Sequence, residues 1–214
     1  MQSTIEQRGG LATRARERFL AGFARQLGHP RASVMAFLLN KYNNTAITAA
    51  VTELGVTEGD RAADIGFGGG VGLGLLLEQV GTGQVYGVDI SEPMLRRAAR
   101  RYRGRVDVRA GSITDLPLQD ASIDRLVTTN TLYFVDDLPV AIAELARVRA
   151  PGGRVVIGIA DPDAMRRMPY TPYGFILRPV DEVVAAMAAG GLELTGHARV
   201  GDGPDAYHLL VAQA

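Results

Sequence analysis

The residues with the most chemical promise are Asp64-Ile65-Gly66-Phe67-Gly68-Gly69-Gly70 and, further on, Asp89. A run so rich in glycine lets the backbone bend sharply and approach a ligand with no Cβ in the way. A helix that starts behind such a bend aims its free N–H groups and the positive end of its dipole at the loop. Asp89 lies about 20 residues beyond the glycines, where a carboxylate at a strand end accepts both hydroxyls of a ribose and repels a 2′-phosphate. Asp64 narrows the ligand further. A dinucleotide loop offers its N–H groups to a pyrophosphate, which a neighbouring carboxylate would oppose. S-adenosylmethionine has no phosphate and carries an ammonium group, so an acid there is tolerated or useful. By itself the glycine run also reads as a tight strand-to-helix turn. Asp89 at a strand end is what moves the reading to a ligand site, because open α/β sheets bind ligands beyond their strand carboxyl ends.

Acid–base candidates are few. Of the three histidines, His29 precedes Pro30 and reads either as a turn histidine or as a base; His197 and His208 fall in a C-terminal hairpin and are expected to be structural. Asp161 follows a strand on the expected cleft side and is a further candidate. Lys41-Tyr42-Asn43-Asn44 offers polar and aromatic groups, as a helix surface or, through Tyr42 or Asn43, as a cover. Met165, Met168, Tyr170, Tyr173 and Phe175 are interrupted by Pro162, Pro169 and Pro172, so this stretch is no regular helix throughout. It reads as a lid with an apolar lining for a partly hydrophobic small acceptor, or as a loop packed on the sheet. Arg96, Arg97, Arg100, Arg101, Arg103, Arg105 and Arg109 form a cluster. Its plain reading is a solvated face; the alternative, an RNA-binding surface, lacks interleaved aromatics apart from Tyr102.

Positioning these groups requires alternating strands and helices. Apolar spacing predicts helices over 11–27 and about 32–54, then strand 61–65, helix 71–80, strand 84–89 and helix 92–102 with Ser91 as N-cap and Pro93 in its first turn. Strands 106–110 and 125–129 follow, then a helix over about 137–149, a turn at Pro151-Gly152-Gly153 and strand 154–159. That alternation implies a parallel sheet with crossover helices. The tail differs: helix 179–189 leads to strands 192–200 and 206–212, whose short connection makes them antiparallel neighbours.

The bulk composition limits the remaining choices. The chain has 214 residues, 47% of them apolar, which suits one domain with a sizeable core: a helical cover over 1–55 on a sheet core over 56–214. Lys plus Arg and Asp plus Glu are both 23, so no basic surplus points to nucleic acid as the main partner. With no cysteine there is no disulfide, thiolate metal site or thiol nucleophile. No apolar run reaches the roughly 20 residues needed to cross a bilayer, and no signal-peptide core follows the N-terminal arginines. These features fit a cytoplasmic protein with no metal site and no membrane partner, as a monomer or a homodimer.

Five segments, in order, resemble the class I S-adenosylmethionine-dependent methyltransferases, in particular the small-molecule group that includes ubiquinone and menaquinone methyltransferases. They are Asp64–Gly70, Val88–Leu95, Gly111–Pro117, Asn130–Phe134 and Leu145–Gly153, within a likeness over about residues 40–160. The resemblance implies a Rossmann-like, seven-stranded, mostly parallel sheet with a C-terminal antiparallel hairpin, helices on both faces and an N-terminal helical cover. It also implies roles in binding S-adenosylmethionine. Gly66 and Gly68 would lie against the methionine and ribose, and Asp64 would reach the amino-acid end, with Tyr42 closing over it. Asp89 would hold the ribose diol, Ile90 and Met94 would pack on adenine, Ser112 and Ile113 would flank its edge, and Asn130 would sit near the sulfonium. Many relatives carry Asp where this chain has Ser112; a hydroxyl also accepts there. Relatives that methylate oxygen often carry His after the fourth strand, where this chain has Tyr133-Phe134. Tyr133, His29 and Asp161 are therefore the catalytic candidates.

Overall fold

The computed structural model describes residues 43–168, 171, 175–203 and 206–213. The predicted helix 11–27, the first part of the next one, His29, Tyr42, Tyr170 and Tyr173 lie outside the described residues. A helix, α1, occupies residues 43–54. Then come β1 (Arg61–Ile65), α2 (Val71–Gln79), β2 (Gln84–Asp89), α3 (Glu92–Tyr102), β3 (Val106–Ala110) and β4 (Ile123–Thr129). A 3-10 turn (Leu132–Phe134), α4 (Leu138–Val148), β5 (Arg149–Ile159), α5 (Pro162–Arg166), α6 (Val180–Ala189), β6 (Leu194–Val200) and β7 (Tyr207–Gln213) complete the order.

The seven strands form one sheet in the order β3-β2-β1-β4-β5-β7-β6. The first five run parallel, and β7 is antiparallel to both β5 and β6. Helices bury both faces, which is why the central strands are almost continuously apolar instead of alternating. On one face Ile65, Leu126, Ile157 and Leu210 pack under α4 and α6, whose Ile142, Leu145 and Met187 are buried. On the other, Ala62, Val85, Val127 and Val156 pack under α1, α2 and α3 through Leu54, Leu73, Leu76 and Ala98. Helix α4 shows the reason plainly: Leu138, Ala141, Ile142, Leu145 and Val148 fall on one stripe.

Two local expectations are corrected. The predicted turn at Pro151-Gly152-Gly153 lies inside a longer β5, where Ile123 pairs with Arg149 but Arg125 pairs with Arg154; the extra residues bulge out, with Gly152 at φ 73°. Ser91 stands at the N-cap position of α3 but makes no side-chain cap bond; its own N–H goes to Asp89 instead. The 3-10 turn after β4 and the short α5 carry no sequence period long enough to detect.

Candidate active site

Chain order reverses between β1 and β4, so a crevice opens at the carboxyl ends of these neighbours, where α/β sheets bind ligands. Gly66 leaves β1 at φ 72° and donates its N–H to Val88 O at 2.7 Å. A Cβ there would fall on the Thr131 side chain, so glycine is required for both its φ and its closeness to the turn after β4. Phe67 anchors the loop in the core beside Leu73 and Gly87. Gly68 and Gly69 face open space: an added Cβ would meet only Gly66 O at 4.0 Å from Gly68 and nothing within 4 Å from Gly69.

The two carboxylates differ in their partners. Asp89 accepts from Gly68 N–H through Oδ2 and from Ser91 N–H through Oδ1, both at 2.8 Å, which ties the loop to the start of α3. Burial raises its pKa, partly opposed by the amides of Ser91, Gly68 and Ile90. The Asp64 side chain is buried, and its carboxylate accepts no hydrogen bond among the described residues. Burial, and then the charge of Asp89, push its pKa up to about 7. Gly72 in the first turn of α2 makes room for it, since a Cβ there would collide with Asp64 Oδ2. Ile90, directly after Asp89, is 36% exposed, and Met94 in the first turn of α3 is half-buried. After β3, Ser112 Oγ pairs with Thr114 Oγ1 at 2.8 Å, while Ile113 turns into the core.

Across the crevice, Asn130 ends β4 at φ 57°. Its Nδ2 donates to Asn43 Oδ1 of α1, and its Oδ1 accepts from the Tyr207 hydroxyl, both at 3.2 Å. The Tyr133 hydroxyl accepts the Ala160 N–H at 2.5 Å, and its ring packs on Phe134 and Phe175. Asp161 caps α5: Oδ1 accepts from Asp163 N–H and Ala164 N–H, each at 2.9 Å. Its Oδ2 faces His208 Nε2 at 3.4 Å, and His208 Nδ1 meets His197 Nε2 at 2.9 Å. Burial raises the Asp161 pKa, but the Ala164 amide, His208 and the Asp163 amide together outweigh it and hold the carboxyl below its usual value. In the stretch read as a lid, Met165 is buried, the Ile176 N–H donates to Tyr133 O at 2.8 Å, and the Arg178 guanidinium donates to Leu132 O and Val135 O at 3.0 and 2.6 Å. These parts pack on the turn after β4.

A family of sequences described as a methyltransferase domain matches residues 63–157. The uncharacterized methyltransferase YdaC of Bacillus subtilis is 30% identical over 125 residues, 58% of this chain and 69% of that protein. The chain belongs to the class I S-adenosylmethionine-dependent methyltransferases. Nocamycin O-methyltransferase of Saccharothrix syringae is 36% identical over 143 residues, 64% of this chain and 49% of that enzyme. For most of the first relatives the match spans less than half of their length, between 32% and 49%. A methyltransferase structure from Aquifex aeolicus shares the fold with a TM-score of 0.67 and 23% identity, over 78% of this chain and 88% of that one. Nothing in these relatives supports two other readings of a glycine loop with an acid at the next strand end, a nicotinamide-dependent oxidoreductase and a non-catalytic S-adenosylmethionine-binding protein.

The cofactor of this methyltransferase is S-adenosylmethionine, and the crevice fits it in kind: a side-chain-free loop with open space above it, a carboxylate clamped beside that loop, and a second, buried carboxylate whose charge lacks a partner among the described residues. The fold brings Asp64, Gly66, Gly68, Asp89, Ile90 and Met94 to one side of the crevice, with Asn130 facing them from β4. Ser112 stands on the turn after β3. Sequence reasoning missed Thr131 and Tyr207, whose partners lie across strands. It also kept Asp161 and the two histidines apart, although they form one hydrogen-bonded chain. Among the described residues no set of three His, Asp or Glu side chains is arranged for a metal, and no helix is long and apolar enough to cross a membrane.

Proposed function

We propose that this protein transfers the methyl group of S-adenosylmethionine to a small, partly hydrophobic acceptor. The observation that carries the reading is the pair Asp64 and Asp89 around a bare glycine loop at the point where the strand order reverses. When bound, the sulfonium supplies an already activated methyl group. The chain's task is then to bind, align and exclude water, and alignment of this kind is worth about 7–11 kcal/mol. Asp89 takes the ribose hydroxyls, with one oxygen already fixed by the loop and the other by α3. Gly66 and Gly68 let the backbone approach. Asp64 meets the ammonium, whose charge relieves the cost of its burial. Ile90 and Met94 cover adenine, Ser112 lies towards its edge with only the main chain of Ile113 beside it because that side chain is in the core, Tyr42 closes the methionine end, and Asn130 flanks the sulfur.

This reading assigns the acceptor side to the N-terminal segment and the loop after β5. In this reading Tyr133, whose hydroxyl accepts the Ala160 N–H, and Asp161, which caps α5 and faces His208, stay the described candidates on the acceptor side. If the acceptor must lose a proton, His29 is the candidate base. A small-molecule acceptor agrees with relatives named for menaquinone and nocamycin methylation, and a cysteine-free chain agrees with the cytoplasm. Separate calorimetric titrations with S-adenosylmethionine and NAD test the cofactor site: binding of the first alone is expected, and binding of NAD alone overturns the reading. Radiolabelled methyl transfer into a metabolite extract tests the acceptor class; label found only in RNA or protein would overturn it.

A further inference from the structure

We infer that Tyr207 is a positioning residue that fixes which way the Asn130 amide faces at the crevice, through the hydrogen-bonded chain Tyr207–Asn130–Asn43. The inference rests on the proposed function for its consequence, since that reading sets Asn130 beside the sulfur of the cofactor. Its geometry stands independently. Tyr207 begins β7, which is a neighbour of β5 and not of β4. To reach Asn130 at the end of β4 the phenol must cross β5, and it crosses at Gly158. A Cβ on Gly158 would lie 2.8 Å from the Tyr207 hydroxyl oxygen and 2.9 Å from its Cε1, so only glycine leaves the passage open. The main chain holds the other end, because Asn130 N–H donates to Gly158 O at 3.0 Å.

At Asn130 the phenol donates to Oδ1, which leaves Nδ2 for Asn43 Oδ1 on α1. Turning the amide over would set carbonyl against carbonyl at Asn43 and deprive the phenol of its acceptor. The phenol is a permanent donor: burial, and then the proximity of Tyr133, raise its pKa well above the ordinary value. Asn130 is also a non-glycine residue at φ 57°, a conformation that persists where surrounding bonds over-determine it. Loop (Asn130), C-terminal hairpin (Tyr207) and N-terminal helix (Asn43) therefore share one orientation-setting network. No feature of local sequence joins these three.

The test is a double-mutant cycle on S-adenosylmethionine affinity, read by calorimetry on wild type, Tyr207→Phe, Asn130→Ala and the double variant. Loss of one hydrogen bond predicts about 2- to 10-fold weaker binding in Tyr207→Phe. If Tyr207 acts only through Asn130, the double variant binds no more weakly than Asn130→Ala. Wild-type affinity in Tyr207→Phe, or effects that simply add, would overturn the inference. Gly158→Ala is the second variant should Tyr207→Phe melt early: it displaces the phenol without removing it and is expected to show the same non-additivity with Asn130→Ala. The side-chain amide resonance of Asn130, assigned by its loss in Asn130→Ala, gives a readout without cofactor. It must shift in Tyr207→Phe, and an unmoved signal sinks the inference. A wild type that ignores S-adenosylmethionine defeats the proposed function, while the amide signal still decides this inference separately.

Discussion

Replacing Asp64 by Asn removes an ionisable group at nearly constant volume, and its consequences follow from one value. Burial, and then Asp89, raise the Asp64 pKa from 3.8 to about 7. At about 1.4 kcal/mol per unit, a charged Asp64 in the ligand-free fold costs on the order of 4 kcal/mol. Between about pH 4 and 7 the folded protein keeps a proton that the unfolded chain has released, so stability falls as pH rises through that window and levels off above it. The Asn variant lacks this slope. Urea unfolding of the two ligand-free proteins is therefore expected to give similar stabilities near pH 4, with the variant ahead by up to about 4 kcal/mol near pH 8. Cofactor binding should run the other way: near pH 8 the variant loses a charge-assisted contact to the ammonium and binds about 1–3 kcal/mol more weakly. At pH values just below 7 the bound ammonium should draw the proton off wild-type Asp64. Calorimetry in buffers of different ionisation enthalpy would then detect release of up to about one proton. Parallel stability curves for the two proteins from pH 4 to 8, or no proton release, would refute the reasoning that Asp64 is a buried acid waiting for a cation.

Other perturbations separate the loop from its supports. Gly66→Ala is expected to lose about 2–5 kcal/mol of stability in urea, about 1–2 from a side chain at positive φ and the rest from overlap with Thr131. Adding Thr131→Ala should recover the second part, and no recovery would show that the contact is not what excludes a Cβ. Asp89→Ala should weaken S-adenosylmethionine binding by about 1–3 kcal/mol in calorimetry; unchanged affinity would remove Asp89 from the ribose. Asp161→Ala should cost about 0.5–2 kcal/mol of stability through its lost helix cap, with cofactor affinity within about twofold. A methyl-transfer rate lowered more than about tenfold at unchanged cofactor affinity would assign Asp161 to acid–base work instead.

The groups proposed to hold the cofactor were legible in the sequence because they are local. The glycine run, Asp64 and Asp89 sit at the ends of two consecutive parallel strands, and the period of apolar residues fixes where those strands stop. The same local rule recovered β1, β2, β3 and α3 to the residue and announced the antiparallel tail through its short connection. The bulge at Gly152 escaped it, because a glycine-rich turn and a glycine-rich bulge share one composition and only pairing with β4 tells them apart.

What only the tertiary structure decided are contacts between side chains distant in the chain. Asp161 looked free for acid–base work, yet its oxygens cap α5 and face His208, and that hairpin places His208 against His197. Tyr207 reaches Asn130 across 77 positions of sequence only because β7 inserts beside β5 and Gly158 leaves a gap. The protonation of Asp64 is likewise a property of burial under α2 and not of the residue type. Spacing along a chain encodes which residues a strand or helix presents together; which strand lies next to which, and therefore which polar groups are already taken, is settled only when the whole sheet packs.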